Sequence, residues 1–253
     1  MSAPQYFETP HGRRLAYHLH PGKGPCIVFL GGLKSDMEGT KALHLEAWAR
    51  AQGRAFLRFD YSGHGQSSGT FEEGCIGDWA QDTADILTEV VNGPVVPVGS
   101  SMGGWQALLF ARRAVKRVAG MVTIAAAPDF TEDGYWASFS DAQKEQIEKE
   151  GRIEIPSDYM EPYVITRRMI TDGRDQLVLR NPLELRFPVR CLQGTADTAV
   201  STETAVRLLE HASSSDMQLL LVKDADHRFS DETCLRLIED AVAEVLSLAE
   251  TVG

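Results

Sequence analysis

Basic charge is scarce in this chain. Its 25 Lys and Arg face 36 Asp and Glu, a formal net of −11 at pH 7, and no run of Lys or Arg forms a stripe. Such a surface repels phosphate backbones and anionic lipid headgroups, which argues against nucleic-acid and peripheral-membrane binding. No stretch approaches the roughly 18–20 apolar residues of a bilayer span. Residues 1–10 lack both the apolar core of a signal peptide and the Arg-rich pattern of a transit peptide, so the expected location is cytoplasmic. Only four cysteines occur, Cys26, Cys75, Cys191 and Cys234. They are widely spaced and form no CxxC pair, which removes the usual signature of a zinc knuckle or dithiol redox motif. Cys26, Cys191 and Cys234 lie in apolar segments and read as small core residues. His18 and His20 share a strand face but have no third ligand nearby, so no metal is expected. Repeats and low-complexity tracts are absent, and 22 Gly with 11 Pro is far below a collagen-like level.

What is present is an ordinary globular composition, 43% hydrophobic and 24% charged over 253 residues, enough for one large core. Short apolar runs alternate with helical patterns. Strand candidates are Cys26–Leu30, Ala55–Asp60, Val95–Val98, Val118–Ala125, Val189–Leu192 and Met217–Val222. Between them apolar residues recur at three- and four-residue spacing. One such helix carries Leu45, Trp48 and Ala49, another Trp79, Ile86, Leu87 and Val90, a third runs from Met102 to about Arg113, and the last carries Leu235 to Leu246. This alternation predicts a mainly parallel sheet with helices on both faces. Gln5–Thr9 and Arg13–His18, either side of His11-Gly12, predict an antiparallel hairpin at the sheet edge.

Residues 128–188 break the alternation. They are too long for a plain connection and carry no clear buried strand. Ser140-Asp141-Ala142-Gln143 is a capping-box pattern for a short helix ending at Gly151, and a second helix is expected from Glu161 to Thr171, closing at Gly173. The segment reads as a lid inserted in a single domain spanning 1–253; the plainer alternative is a decorative insertion.

The sharpest chemical signal is Gly99-Ser100-Ser101-Met102-Gly103. This GxSxG follows the strand VVPV and precedes a helix, the setting a nucleophile elbow requires. A hydroxyl raised above a sheet needs a tight turn, and glycines on either side keep that turn clear of its neighbours. Ser101 holds the middle position and is preferred to Ser100; the rival reading is a glycine-rich turn with an idle serine. A serine hydroxyl needs a base, and the base needs an orienting carboxylate. In this arrangement the order along the chain is Ser, acid, His. His227 follows the last strand and Asp197 follows the strand before it. His64 also follows a strand end, but too early for the base, and reads as structural or pocket-rim. His11, His18, His20, His44 and His211 lie away from the strand ends. Asp224 and Asp226 are near His227 along the chain, yet adjacent residues of one loop rarely face each other well, so Asp197 is preferred. Charge developing on an attacked carbonyl oxygen calls for N–H donors. Met102, after the nucleophile, is one candidate, and Leu33 in Gly31-Gly32-Leu33 is the other. Lys34 and Arg228 flank the expected site and are candidates for reading a substrate carboxylate, against the plainer reading of solvated charge. Trp105 reads as core packing.

With these residues in place, the chain resembles the serine α/β-hydrolases, and among them the group formed by animal α/β-hydrolase domain-containing protein 10 and its bacterial relatives. The resemblance rests on Gly39-Thr40-Lys41-Ala42, Arg58-Phe59-Asp60-Tyr61-Ser62-Gly63, Gly99-Ser100-Ser101 with Gly103-Gly104-Trp105, and Asp226-His227-Arg228. It implies an α/β-hydrolase fold with a small helical lid, a Ser101–Asp197–His227 triad, no cofactor, and hydrolysis of small acyl esters or thioesters through an acyl-enzyme. A peptidase or carbon–carbon hydrolase on the same residues, and a non-catalytic ligand-binding protein on this scaffold, are the alternatives.

Overall fold

The computed structural model describes residues 3–156 and 162–251. Eight strands form one sheet: β1 (Gln5–Glu8), β2 (Arg14–His20), β3 (Lys23–Leu30), β4 (Arg54–Phe59), β5 (Val95–Ser100), β6 (Met121–Ile124), β7 (Val189–Gly194) and β8 (Met217–Val222). Their order across the sheet is β1-β2-β4-β3-β5-β6-β7-β8. β2 runs antiparallel to both β1 and β4, and every other neighbour is parallel. The near-continuous apolar runs of β3 and β5 follow from this placement, since a central parallel strand is covered on both faces. Cys26, Val28 and Leu30 enter one core with Trp79, Trp105 and Leu108, whereas Ile27 and Phe29 enter the other with Leu45, Val242 and Val245.

The helices are α1 (Thr40–Ala51), α2 (Ile76–Glu89), α3 (Met102–Arg113), α4 (Asp141–Glu150), α5 (Arg167–Asp175), α6 (Thr202–His211) and α7 (Glu232–Thr251). α2 and α3 supply buried residues to the first core, and α1 and α7 to the second. α6 has little signature in the sequence. Ser201 caps it by accepting from the Thr204 N–H, and only Ala205 and Leu208 are buried, too weak an apolar stripe to stand out.

Between β6 and β7 the chain differs from the sequence expectation. α4 does open on the Ser140–Gln143 capping box and stop at Gly151, whose φ is 80°. The expected second helix does not hold as drawn, and its proposed start at Glu161 lies outside the described residues. Tyr163–Thr166 is a strand paired antiparallel with Arg152–Ile155, with Ile165 opposite Ile153 and Val164 opposite Glu154. β-branched residues fit this pleat better than a helix. The helix begins only at Arg167, where the Thr166 hydroxyl accepts from the Met169 N–H at 3.1 Å. Gly173 does not close α5 but lies within it, where a Cβ would meet Thr131 Oγ1 at 2.2 Å. Asp129, at the start of the segment, holds residues 178–180 farther along it. Its carboxylate accepts from the Val178 and Leu179 N–H groups at 2.8 and 3.0 Å and from Arg180 at 2.9 Å.

Close backbone packing around the end of β5 separates two kinds of glycine. A Cβ on Gly103 would lie 2.0 Å from Leu30 O, whereas one on Gly53, at φ 66°, would meet nothing within 4 Å. Gly103→Ala is therefore expected to cost about 3 kcal/mol or more by overpacking, and Gly53→Ala about 1 kcal/mol from backbone conformation alone. Urea denaturation of both variants checks this; equal costs, or a larger one at Gly53, would contradict the packing argument.

Candidate active site

Ser101 sits between β5 and α3 with φ 56° and ψ −120°, a conformation a non-glycine residue adopts only when its surroundings impose it. Here they do. Its N–H donates to Ile124 O at 2.9 Å, and its carbonyl accepts from the Gly104 and Ala127 N–H groups at 2.9 and 3.1 Å. Glycines let the turn nest. A Cβ on Gly99 would lie 2.3 Å from Gly103 O, and one on Gly104 2.5 Å from Ala126 Cβ. Met102 is the first residue of α3, so its N–H is one of those a helix leaves without an internal acceptor.

The loops after β7 and β8 meet beside this turn. Gly194 makes the meeting possible, since a Cβ there would lie 2.2 Å from Ala225 O. The Ala196 N–H donates to Ala225 O at 3.0 Å, and the Asp224 N–H to Thr195 Oγ1 at 2.9 Å. This contact brings Asp197 and His227 together, 30 residues apart in sequence. His227 Nδ1 lies 2.8 Å from Asp197 Oδ2, and its Nε2 lies 3.1 Å from Ser101 Oγ. Three side chains from three separate loops thus form one hydrogen-bonded line.

The Asp197 side chain is fully buried while the imidazole is 30% exposed. Burial alone would push the Asp197 carboxyl up. The hydrogen bond to His227 and those from the Val200 and Ala199 N–H groups outweigh it and hold the group below its ordinary value. Oδ1 accepts from the Ala199 and Val200 N–H groups at 2.9 and 2.8 Å, while Oδ2 also accepts from Gln193 Nε2 at 3.0 Å. The rival Asp226 is directed elsewhere, accepting from the Phe229 N–H at 3.1 Å.

Leu33 is half-buried on the loop after β3, and a Cβ on its neighbour Gly32 would come within 3.4 Å of Ser101 Cβ. Lys34 is exposed, with its ammonium over the rings of Phe71 and Tyr163 at 5.3 and 5.6 Å. Arg228 follows the imidazole directly, and its carbonyl accepts a hydrogen bond from Lys41 Nζ. Burial lowers the Lys41 amine to about 8. Nothing in the sequence marked Lys41 as a support for the His227 loop, since the contact joins residues 187 positions apart. Trp105 is buried and donates from Nε1 to Gln176 O at 3.2 Å.

Of the other histidines, His64 accepts from the Lys34 N–H at 3.1 Å on the loop after β3, while two more have partners outside the Ser101–His227–Asp197 line. His44 meets Glu239 at 2.6 Å and His211 meets Asn181 O at 2.8 Å. Among the described residues no group of three or more His, Cys, Asp or Glu has the geometry to hold a metal. No helix among them is long and apolar enough to cross a membrane. An open cavity of about 550 Å³ next to α5, lined by Thr166, Arg167, Arg168, Thr171 and Asp172 among others, includes none of Ser101, Asp197 and His227.

The model of the alpha/beta hydrolase family matches residues 27–246. The chain belongs to the alpha/beta hydrolase family. Among relatives of this hydrolase, palmitoyl-protein thioesterase ABHD10, mitochondrial, of Bos taurus is 33% identical over 98% of this chain and 81% of that protein. A crystal structure of a putative hydrolase from Agrobacterium vitis S4 is 35% identical, with a TM-score of 0.93 over 96% of this chain and 98% of that one. Alpha/beta hydrolase domain-containing protein 10 from mouse is 30% identical, with a TM-score of 0.90 over 97% and 99%.

The state of Asp197 fixes the sign of a pH effect. A carboxylate held below its ordinary 3.8 contributes stability that is complete above that value and is lost as pH falls through the lower folded one. The stability gap between wild-type protein and Asp197→Asn is therefore expected to narrow as pH falls from about 5 to about 2.5. Urea unfolding at both pH values checks it, and a widening gap would contradict the direction.

Proposed function

We propose that this hydrolase cleaves carboxylic esters and thioesters of small acyl substrates through an acyl-enzyme on Ser101. The observation that carries this reading is the line Ser101 Oγ–His227–Asp197, with 3.1 Å and 2.8 Å between successive groups. The ABHD10 relatives are named palmitoyl-protein thioesterases, which supports acyl transfer over other chemistry on the same residues.

The steps follow from the geometry. Asp197 accepts from His227 Nδ1–H and so leaves Nε2 with a lone pair toward Ser101. As Ser101 Oγ attacks the acyl carbonyl, Nε2 takes its proton. The N–H groups of Met102 and Leu33 stabilise the resulting oxyanion. Collapse breaks the carbonyl–oxygen or carbonyl–sulfur bond, and the imidazolium returns the proton to the leaving alcohol or thiol. Water then attacks the acyl-enzyme, with His227 again as base, releasing the acid and regenerating Ser101. Residues 128–188 act as a lid over this site, with Asp129 near its start holding Val178 and Leu179. Lys34 and Arg228, close to this line along the chain, are candidates for contact with a substrate carboxylate.

A fluorophosphonate probe is expected to label Ser101 in wild-type protein. Ser101→Ala is expected to lower kcat on p-nitrophenyl esters by roughly 10⁵-fold, and Asp197→Asn by about 10³- to 10⁴-fold. Absence of labelling in folded protein would favour a ligand-binding role. Turnover of amide or carbon–carbon substrates alone, across a panel of short and long acyl esters and thioesters, would rule out the esterase reading.

A further inference from the structure

The loop from Gly31 to Met37 passes beside Ser101, and four of its backbone atoms are each held by a different side chain. Tyr61 Oη donates to Gly31 O over 3.4 Å. The Lys34 N–H donates to His64 Nε2 at 3.1 Å. The Met37 N–H donates to Asp60 Oδ1 at 2.6 Å, and Arg58 Nη1 donates to Met37 O at 3.1 Å. All four side chains come from one stretch, residues 58–64, at the end of β4 and the loop beyond it, and all four are buried. They are anchored in turn. Arg58 Nε donates to Glu46 at 2.7 Å, and Asp60 Oδ2 accepts from the Gln66 N–H at 2.8 Å.

We propose that residues 58–64 act as one positioning unit for the Leu33 N–H, with His64 as its decisive member. This rests on the esterase reading, in which that N–H faces the oxyanion. His64 matters most because it holds the residue next to the donor. Lys34 has φ 58°, a conformation uncommon outside glycine that persists only under restraint. An acceptor on its N–H fixes the peptide plane directly after Leu33 and, through it, the aim of the donor.

Only one state of His64 can do this. Nε2 must offer a lone pair to the Lys34 N–H, so the ring proton sits on Nδ1 and is donated to Ser62 O at 3.1 Å. The surroundings favour that neutral form. The ring meets Tyr61, Phe71 and Trp79 edge-on at 5.6, 5.5 and 5.1 Å between centroids. Burial lowers its pKa to about 4. Both nitrogens being engaged, His64 is not the base. It acts through the loop and touches no reacting atom.

A merely structural histidine would affect folding rather than turnover, and two substitutions separate the cases. His64→Phe keeps an aromatic ring but removes the acceptor. His64→Gln places an amide oxygen close to the position of Nε2 and can accept the same N–H. On a p-nitrophenyl ester, His64→Phe is expected to lower kcat by about 10- to 100-fold with KM within about twofold, and His64→Gln to recover most of that loss. A folded His64→Phe with wild-type kcat, or equal losses in both variants, would overturn the proposal. Should His64→Phe fail to fold, Tyr61→Phe decides, since it removes one hydroxyl and keeps the ring. A kcat lowered by about threefold or more at constant KM supports the unit, and an unchanged kcat overturns it. Wild-type protein that neither turns over esters nor takes up the fluorophosphonate would sink the esterase reading and this inference with it. Normal wild-type turnover beside unaffected variants sinks this inference alone.

Discussion

The backbone contact between the start of α3 and the ends of β3 and β5 governs the rest of this structure. Gly99, Gly103 and Gly104 let main chain approach main chain at distances no side chain allows, and the turn so formed holds Ser101 at a positive φ. Strain at one residue is affordable here because three backbone hydrogen bonds fix both its peptide groups. A looser turn would lower the hydroxyl toward the sheet and widen its 3.1 Å approach to His227. The steric demand of a few glycines thus reaches directly to the chemistry.

Around that turn the polar groups are arranged so that little has to move. The Asp197 carboxylate accepts two backbone N–H groups and an amide besides the imidazole, which fixes its orientation without help from solvent. The loop carrying Leu33 is gripped from residues 58–64, and the loop carrying His227 is held by Lys41. In the proposed acyl transfer such preorganisation would matter because charge appears on the substrate oxygen within one step, and donors held in place beforehand need no reorganisation to meet it. The relatives with high structural similarity, at TM-scores of 0.93 and 0.90, share the overall framework in which these loops sit.

Much of this was legible in the sequence because it depends on local pattern. The GxSxG around Ser101 stands between an apolar run and a helical one, and Asp197 and His227 each follow a strand, so topology alone brings them to one edge of the sheet. The hairpin built on Ile153, Ile155, Val164 and Ile165 was hidden for a different reason. Its strands are four residues each and lie outside the main sheet, and the polar helices on either side dominate the pattern. α6, with two buried residues, left too faint a stripe. The grip of His64 on Lys34 could not be read from spacing at all. It depends on a backbone N–H 30 residues away and on the burial of a ring among three others, neither of which a linear pattern encodes.

The most direct test of acyl transfer through Ser101 is rapid acid quench of the enzyme with a slowly turned-over acyl thioester, followed by peptide mass mapping. The expected result is one acyl group on the peptide containing Ser101, appearing and decaying at rates consistent with turnover. Full turnover with no acyl adduct on that peptide, or an adduct carried only by another residue, would contradict it.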